Sequence, residues 1–246
     1  MNDDDDAPDG GSLVLGVLGG MGPAATLDFL AKVQAFTPAQ RDQDHIRVLV
    51  DINPKAPDRN VASAGPGADA GSVLAEMAGA LAGAGADILA IACNTAHAHA
   101  DLVQRASGLP LIDMIETGAS AARQSGARRV AVLGTRGALR LYREYLAAQG
   151  MGILTLDPER QEAFMAALYR IKAGDLGAEV SREMIGFAHE LAGLGAEAVI
   201  AGCTEVPLVM GPRDLSGAAF IDPGELLARR CVAVCLGLEP APLLPA

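Results

Sequence analysis

Two short stretches constrain the fold most: Ile91-Ala92-Cys93-Asn94-Thr95-Ala96-His97 and Ala201-Gly202-Cys203-Thr204-Glu205-Val206-Pro207. Each is an apolar run that stops at a cysteine and passes into small polar residues. That is the pattern of a buried strand followed by a loop that opens a helix. In an open α/β sheet, the loop at the carboxyl end of a strand is where ligands meet the protein. One such cysteine in each half of the chain implies a site with a sulfur on either side.

The rest of the chain reads as βα units. Leu13 to Leu18 predicts a buried strand, and Gly19-Gly20-Met21-Gly22-Pro23 turns it into a helix reaching about Phe36, with Pro23 near its first position. Further strands are expected over residues 46–50, 87–91 and 109–112, and helices over 73–84 and 95–107. A long loop rich in Pro, Gly, Asn and Asp spans residues 51–72, and such loops are more often functional than idle. The pattern then restarts. Helices are expected over residues 114–125, 139–149, 159–173, 177–194 and 223–236, with strands over 129–133, 152–156, 198–200 and 218–221. Gly16-Val17-Leu18-Gly19-Gly20-Met21-Gly22-Pro23 resembles Ala131-Val132-Leu133-Gly134-Thr135-Arg136-Gly137-Ala138, and a strand-end cysteine follows each copy at a similar distance.

The expected fold class is therefore α/β: two similar domains, each a mostly parallel sheet flanked by helices. A pseudo-two-fold axis relates them, and the active site lies in the inter-domain cleft. The expected division is an acidic disordered tail (1–12), an N-terminal domain (13–113) completed by the C-terminal helix (222–236), a second domain (114–221) and a Pro-rich tail (237–246).

Composition narrows the partners. The 246 residues are 50% hydrophobic but only 3% aromatic, with no Trp, so the core is built of Ala, Val, Leu and Ile. A net charge of −11, partly from Asp3, Asp4, Asp5, Asp6 and Asp9, repels nucleic acid and anionic membranes. An anionic substrate must be met by local cations, and the lysines are Lys32, Lys55 and Lys172. Four cysteines without a secretory signal suggest a reducing cytoplasm, and no apolar run reaches the roughly 18–20 residues of a membrane helix.

Cysteine reacts as the thiolate, whose free pKa of roughly 8.5 its surroundings can lower. A helix N-terminus after each of Cys93 and Cys203 is expected to favour that form. Two thiols facing across a substrate suit two-base proton transfer, one taking a proton from a carbon and the other returning one to the opposite face. Metal and redox pairs also use two thiols, but neither Cys93 nor Cys203 has a second Cys at metal-ligand spacing, so no metal is expected. Arg59, in the long loop, has the planar fork that binds carboxylates, or it is a solvated loop residue. Lys172 can meet an anion or simply complement a helix C-terminus.

Asn94, Thr95, Thr135 and Thr204 stand at strand-to-helix turns, where they can hold a carboxylate or cap a helix. Asn53 bonds a substrate or its own turn. Glu205 holds an ammonium, tunes Cys203, or is an ordinary first-turn acid. His97 and His99 are two apart, so they do not form the i, i+4 pair of a metal site, and His97 is expected to support its loop. Cys231 and Cys235 read as core. Gly20-x-Gly22-x-x-Ala25, with Asp51, is a partial dinucleotide fingerprint, but Pro23 and the repeat of the turn at Gly134 fit a substrate-cleft loop better.

Cys93-Asn94-Thr95-Ala96-His97, Gly202-Cys203-Thr204-Glu205 and Gly19-Gly20-Met21-Gly22-Pro23 together resemble the aspartate/glutamate racemase family, from about Leu15 to Cys235. The resemblance implies a cofactor-independent enzyme with two catalytic cysteines between two similar α/β domains, usually dimeric. Glu205 stands where cell-wall glutamate racemases typically carry His, which resembles the aspartate and broader amino-acid racemase branch. By the same resemblance, the Arg of Pro57-Asp58-Arg59 grips the substrate's side-chain carboxylate, and the Lys of Ile171-Lys172-Ala173-Gly174 is its partner.

The expectation is an amino-acid racemase without pyridoxal phosphate or metal, acting on aspartate first, with glutamate or other amino acids as the extension of that expectation. Cys93 and Cys203 move the proton. Met21, Asn53, Arg59, Asn94, Thr95, Thr135, Lys172, Thr204 and Glu205 contact the substrate, and a homodimer in the cytoplasm is the expected form. The rivals are a related two-cysteine isomerase or decarboxylase of dicarboxylates, a non-catalytic amino-acid-binding protein and, last, an NAD-dependent enzyme.

Overall fold

The computed structural model describes residues 12–58 and 69–244. All but one residue of the acidic tail expected over 1–12, and Arg59 with the middle of its loop (59–68), lie outside the described residues.

The first half runs β1 (Leu15–Gly19), α1 (Pro23–Phe36), β2 (Val48–Ile52), α2 (Ala70–Gly83), β3 (Ile88–Ile91), α3 (Ala100–Ser107) and β4 (Leu111–Ile112). The second runs α4 (Met114–Gln124), β5 (Arg129–Gly134), α5 (Arg136–Ala148), β6 (Gly152–Leu154), α6 (Pro158–Lys172), α7 (Ala178–Gly193), β7 (Ala198–Gly202), β8 (Ala219–Ile221) and α8 (Pro223–Cys235). Two four-stranded parallel sheets result, ordered β2-β1-β3-β4 and β6-β5-β7-β8. The identical order in both sheets is the structural form of the sequence repeat.

Parallel sheets are covered on both faces, so their central strands are apolar without alternation. β1, β3 and β7 are buried along their whole length. Side chains still alternate between faces. Leu15 and Val17 pack with Phe29 and Val33 of α1 and with Leu227 and Cys231 of α8, while Leu18 packs with Leu74 and Met77 of α2. In the second sheet Ala131 and Leu133 meet α6 and α7, and Val130 and Val132 meet α4 and α5. The chain returns after β8 so that α8 lies on the first sheet, where the Leu13 amide donates to the Cys235 carbonyl at 3.0 Å.

The order also positions the loops. β1 and β3 are neighbours, but the chain leaves β1 for β2 on one side and reaches β3 from the other. That reversal opens a crevice at the strands' carboxyl ends. Gly20–Gly22 and Cys93 flank the crevice in the first sheet, and Thr135 and Cys203 occupy the equivalent place after β5 and β7 in the second.

Several boundaries differ from the sequence expectation: α2 begins at Ala70, β4 and β6 are two residues shorter, and three further differences bear on the site. Residues 95–99 form a 3₁₀ segment before α3, rather than the first turns of one α-helix. His97 accounts for it: Nδ1 bonds the Cys93 carbonyl at 2.9 Å, and Nε2 accepts the Met114 amide at 3.1 Å. Since Nε2 accepts, Nδ1 carries the proton, and the ring ties the Cys93 loop to the start of α4. α5 begins at Arg136, three residues early, because Thr135 caps it by accepting from the Ala138 amide at 3.3 Å. β2 extends through Asp51 and Ile52, which the sequence assigns to the loop, because both continue the pairing with β1.

Candidate active site

Cys93 and Cys203 end the third strand of the first sheet and the third strand of the second, at 5% and 6% exposure. Cys93 packs in a cluster with Leu18, Met21, Ile91 and Ala96, and Cys203 in one with Ile171, Ala201, Val206 and Met210. Besides the His97–Met114 bond, further hydrogen bonds cross between the two halves around them. Thr95 and Thr135 share one between hydroxyls at 2.8 Å, the Tyr142 hydroxyl donates to Asn94 Oδ1 at 2.8 Å, and the Gly22 amide donates to Glu205 Oε1 at 3.2 Å. The crevice of each sheet is thus turned toward the other.

Glu205, 2% exposed, is the centre of the polar network. Its Oε1 also takes Lys172 Nζ in an ion pair, and Oε2 accepts from Cys203 Sγ at 2.9 Å and from the Thr204 hydroxyl at 3.3 Å. A buried carboxylate needs such partners. Burial opposes the Lys172 charge, but Cys203 in its thiolate form, the Glu205 carboxylate and Cys93 more than offset it, so its pKa is raised. Lys172 therefore carries its charge in the field of both thiols. The Cys203 thiol is pushed well above its usual range, by burial first and then by the Glu205 charge, with Lys172 pulling the other way.

That direction corrects the expectation that a helix N-terminus would favour the Cys203 thiolate. Only a three-residue 3₁₀ turn, Val206–Leu208, follows Cys203, too short to carry a helix dipole.

The other expected site residues are distributed as follows. Asn94 (1% exposed), Thr95 and Thr135 are brought together at the meeting of the two halves, and Asn94 Nδ2 is buried with no hydrogen-bond partner among the described residues. Thr204 lies against Glu205. Met21 is a buried core neighbour of Cys93. The side-chain oxygen of Asn53 accepts the Lys55 amide at 3.0 Å, the turn role rather than a free acceptor. Arg59 lies outside the described residues.

Sequence reasoning missed Tyr142 and Gln161. Tyr142 sits on the apolar stripe of α5 with Leu139 and Leu146, so periodicity marks it as core, and only the fold brings its hydroxyl to Asn94. Gln161 donates to the Gly134 carbonyl at 3.0 Å and braces the turn after β5. A buried Gln inside a helix would be its sequence signal, but burial there is legible only once α6 is placed.

The partial dinucleotide fingerprint is already occupied by protein. The Gly20 amide donates to Thr26 Oγ1 at 2.9 Å and the Gly22 amide to Glu205. Among the described residues no three His, Cys, Asp or Glu side chains converge as metal ligands, and no helix is long and apolar enough to cross a membrane.

Residues 18–231 match the family described as Asp/Glu/Hydantoin racemase. The broad-specificity amino-acid racemase RacX of Bacillus subtilis is 25% identical over 234 residues, covering 92% of this chain and all of that protein. A glutamate racemase of Koribacter versatilis is 31% identical over 172 residues, 65% of this chain and 56% of that one. The solved structure of Picrophilus torridus aspartate racemase superposes with a TM-score of 0.78 at 25% identity, over 91% of this chain and 94% of that one.

Proposed function

Because this chain belongs to the Asp/Glu/Hydantoin racemase family, we propose that it inverts the α-carbon of an acidic amino acid, aspartate before glutamate, with Cys93 and Cys203 as the two bases. The observation that carries the reading is Lys172, a half-buried ammonium held in the field of both strand-end thiols. Its charge attracts a carboxylate into the space that both sulfurs address.

The barrier to racemisation is the weak acidity of the Cα proton. One thiolate removes that proton while the opposed thiol supplies another to the far face, and the electron pair left on carbon is drawn into the α-carboxylate. Donors aimed at that carboxylate lower the barrier most in a site that excludes water. Asn94 Nδ2, a buried donor without a partner among the described residues, and the Thr95–Thr135 pair are suited to hold it. Lys172 takes the distal carboxylate, with Arg59 as its partner from the loop. The family needs no pyridoxal phosphate for this chemistry, and the reading assigns it none.

The ion pair between Lys172 and Glu205 favours a second reading of substrate breadth, since Lys172 is partly neutralised before any substrate arrives. The similarity to a broad-specificity racemase points the same way. Neutral amino acids would then also turn over.

A homodimer in the cytoplasm belongs to the same proposal. Leu27 on α1, with Val50 and Ile52 on edge strand β2, offers exposed apolar side chains to a second copy, and sedimentation equilibrium tests it. The central experiment is exchange of Cα–H for deuterium in heavy water, with L- and D-aspartate, glutamate and alanine, followed together with optical rotation. Exchange accompanied by racemisation is expected. Tight binding without exchange, or loss of carbon dioxide from malonates in its place, would refute it.

A further inference from the structure

Glu205 receives four donors from three parts of the chain. The Gly22 amide comes from the start of α1 and Lys172 Nζ from the end of α6, both on Oε1, while Cys203 Sγ and the Thr204 hydroxyl meet Oε2. A carboxylate offers about four lone-pair positions. Glu205 is therefore saturated, and it cannot take a substrate ammonium without losing one of these partners. A Cβ at Gly22 would stand 3.0 Å from Oε1, so the first half of the molecule closes directly over the carboxylate.

This arrangement leaves Cys203 as a thiol that donates to Glu205, held there by burial and by the neighbouring negative charge. A thiol can deliver a proton to a carbanion. It cannot remove one until its own proton has gone, and the contact at 2.9 Å shows where that proton can go. We propose that Glu205 is the positioning residue that accepts the Cys203 proton when a substrate's distal carboxylate draws Lys172 away from Oε1.

The inference rests on the two-thiol reading above. The step moves one proton from Sγ to Oε2. Sulfur keeps the bonding pair as thiolate, Glu205 becomes a neutral acid, and the Lys172 ammonium exchanges one carboxylate for another. Lys172 bonds Glu205 directly, so its departure removes the cation from Oε1 and leaves the carboxylate free to share the Cys203 proton. In the opposite direction Cys203 donates to carbon as a thiol and Glu205 needs no extra proton. The distal carboxylate of the substrate thus arms the thiol as well as binding, and its loss is read in kcat and not in KM alone.

Among the described residues, Lys172 and Cys203 are the titratable groups bonded to Glu205, and Cys93 adds its charge to the field at both Cys203 and Lys172. Gly22 and Thr204 contribute donors that do not titrate at neutral pH. Lys172, raised above 10.5, stays charged between pH 7 and 9.

The test begins with Cα–H exchange by the wild-type enzyme on both enantiomers of aspartate. No exchange there would overturn the racemase reading itself. Given exchange, Glu205→Gln removes the acceptor. We expect KM for aspartate to stay within about threefold and kcat to fall by about 100-fold or more. The remaining kcat should climb about tenfold per pH unit from 7 to 9, because hydroxide must then deprotonate Cys203, while the wild-type profile is flatter. Glu205→Asp, which keeps an acceptor, should keep the flatter profile. A Glu205→Gln enzyme with wild-type kcat, or with a reduced kcat that runs parallel to wild type in pH, overturns the inference and leaves the racemase reading standing. A measurement without any variant uses alanine, which has no distal carboxylate. Its wild-type kcat should show the same steep rise with pH, and a flat alanine profile refutes the coupling.

Discussion

Gly137 is the second residue of α5, and its position is set by the other half of the molecule. A Cβ built there stands 2.6 Å from Thr95 Cγ2. Carbon atoms settle at about 3.5–4.0 Å, so Gly137→Ala must find about 1 Å of room. Thr95 is a poor place to find it. The residue is buried, its branched side chain is stiff, and its hydroxyl is bonded to Thr135, which in turn caps α5. Overpacking of this kind costs about 1–3 kcal/mol. Against it stands the gain from replacing Gly by Ala inside a helix, about 1 kcal/mol.

Gly186 of α7 isolates the second effect, because it is exposed and a Cβ there meets nothing within 4 Å. Gly186→Ala should raise the thermal midpoint by about 2–4 °C, whereas Gly137→Ala should leave it unchanged or lower it by up to about 8 °C. Helix propensity cancels in the comparison, so the difference, about 1–3 kcal/mol, reports the clash alone. Adding Thr95→Ser deletes Cγ2 and keeps the hydroxyl, so the double variant should recover most of the loss. Paired urea and thermal unfolding curves measure all four proteins. A Gly137→Ala protein as stabilised as Gly186→Ala, or one that Thr95→Ser fails to rescue, would refute the close approach of the two halves at this point.

Cys93→Ala and Cys203→Ala should each abolish racemisation in both directions, and normal optical inversion by either variant would sink the two-base mechanism. Stability should fall as pH rises above about 9. Burial raises the Cys203 and Cys231 thiols well above 9.0 and moves Cys235 up to about 12, so the folded chain holds protons that the unfolded chain has already released. A urea midpoint unchanged between pH 8 and 11 would contradict that sign. Asp222 caps α8 through the Gly224 and Glu225 amides and pairs with Lys32 at 2.8 Å. Asp222→Ala should therefore cost about 2 kcal/mol and Asp222→Asn, which keeps a capping oxygen, about half as much. Equal losses in calorimetry would show that the capping oxygen contributes nothing.

Much of the fold was legible in the sequence because its signals are local. β1, β3 and β7 are unbroken apolar runs, as central parallel strands must be, β5 becomes one after Arg129, and glycines mark most of the helix ends. The repeat around Gly19 and Gly134 predicts two similar parallel sheets, and the structure adds that their strand order is the same. The 3₁₀ segment at Thr95–His99 was not legible, because it depends on His97 meeting Met114 across a helix and a strand. Nor was the role of Tyr142, which periodicity can only assign to the core.

The two strand-end cysteines were determined by the sequence alone. An apolar run ending in Cys needs only its own burial to become a strand that presents a thiol at the sheet's carboxyl edge. What joins the two thiols was decided by tertiary structure. Lys172, Glu205 and Gly22 come from a helix end, a loop and the opposite half of the molecule, and their local sequences contain no trace of one another. Their contact exists because packing two sheets with their crevices facing buries a carboxylate, and a buried carboxylate must find an ammonium and amide donors wherever the chain brings them.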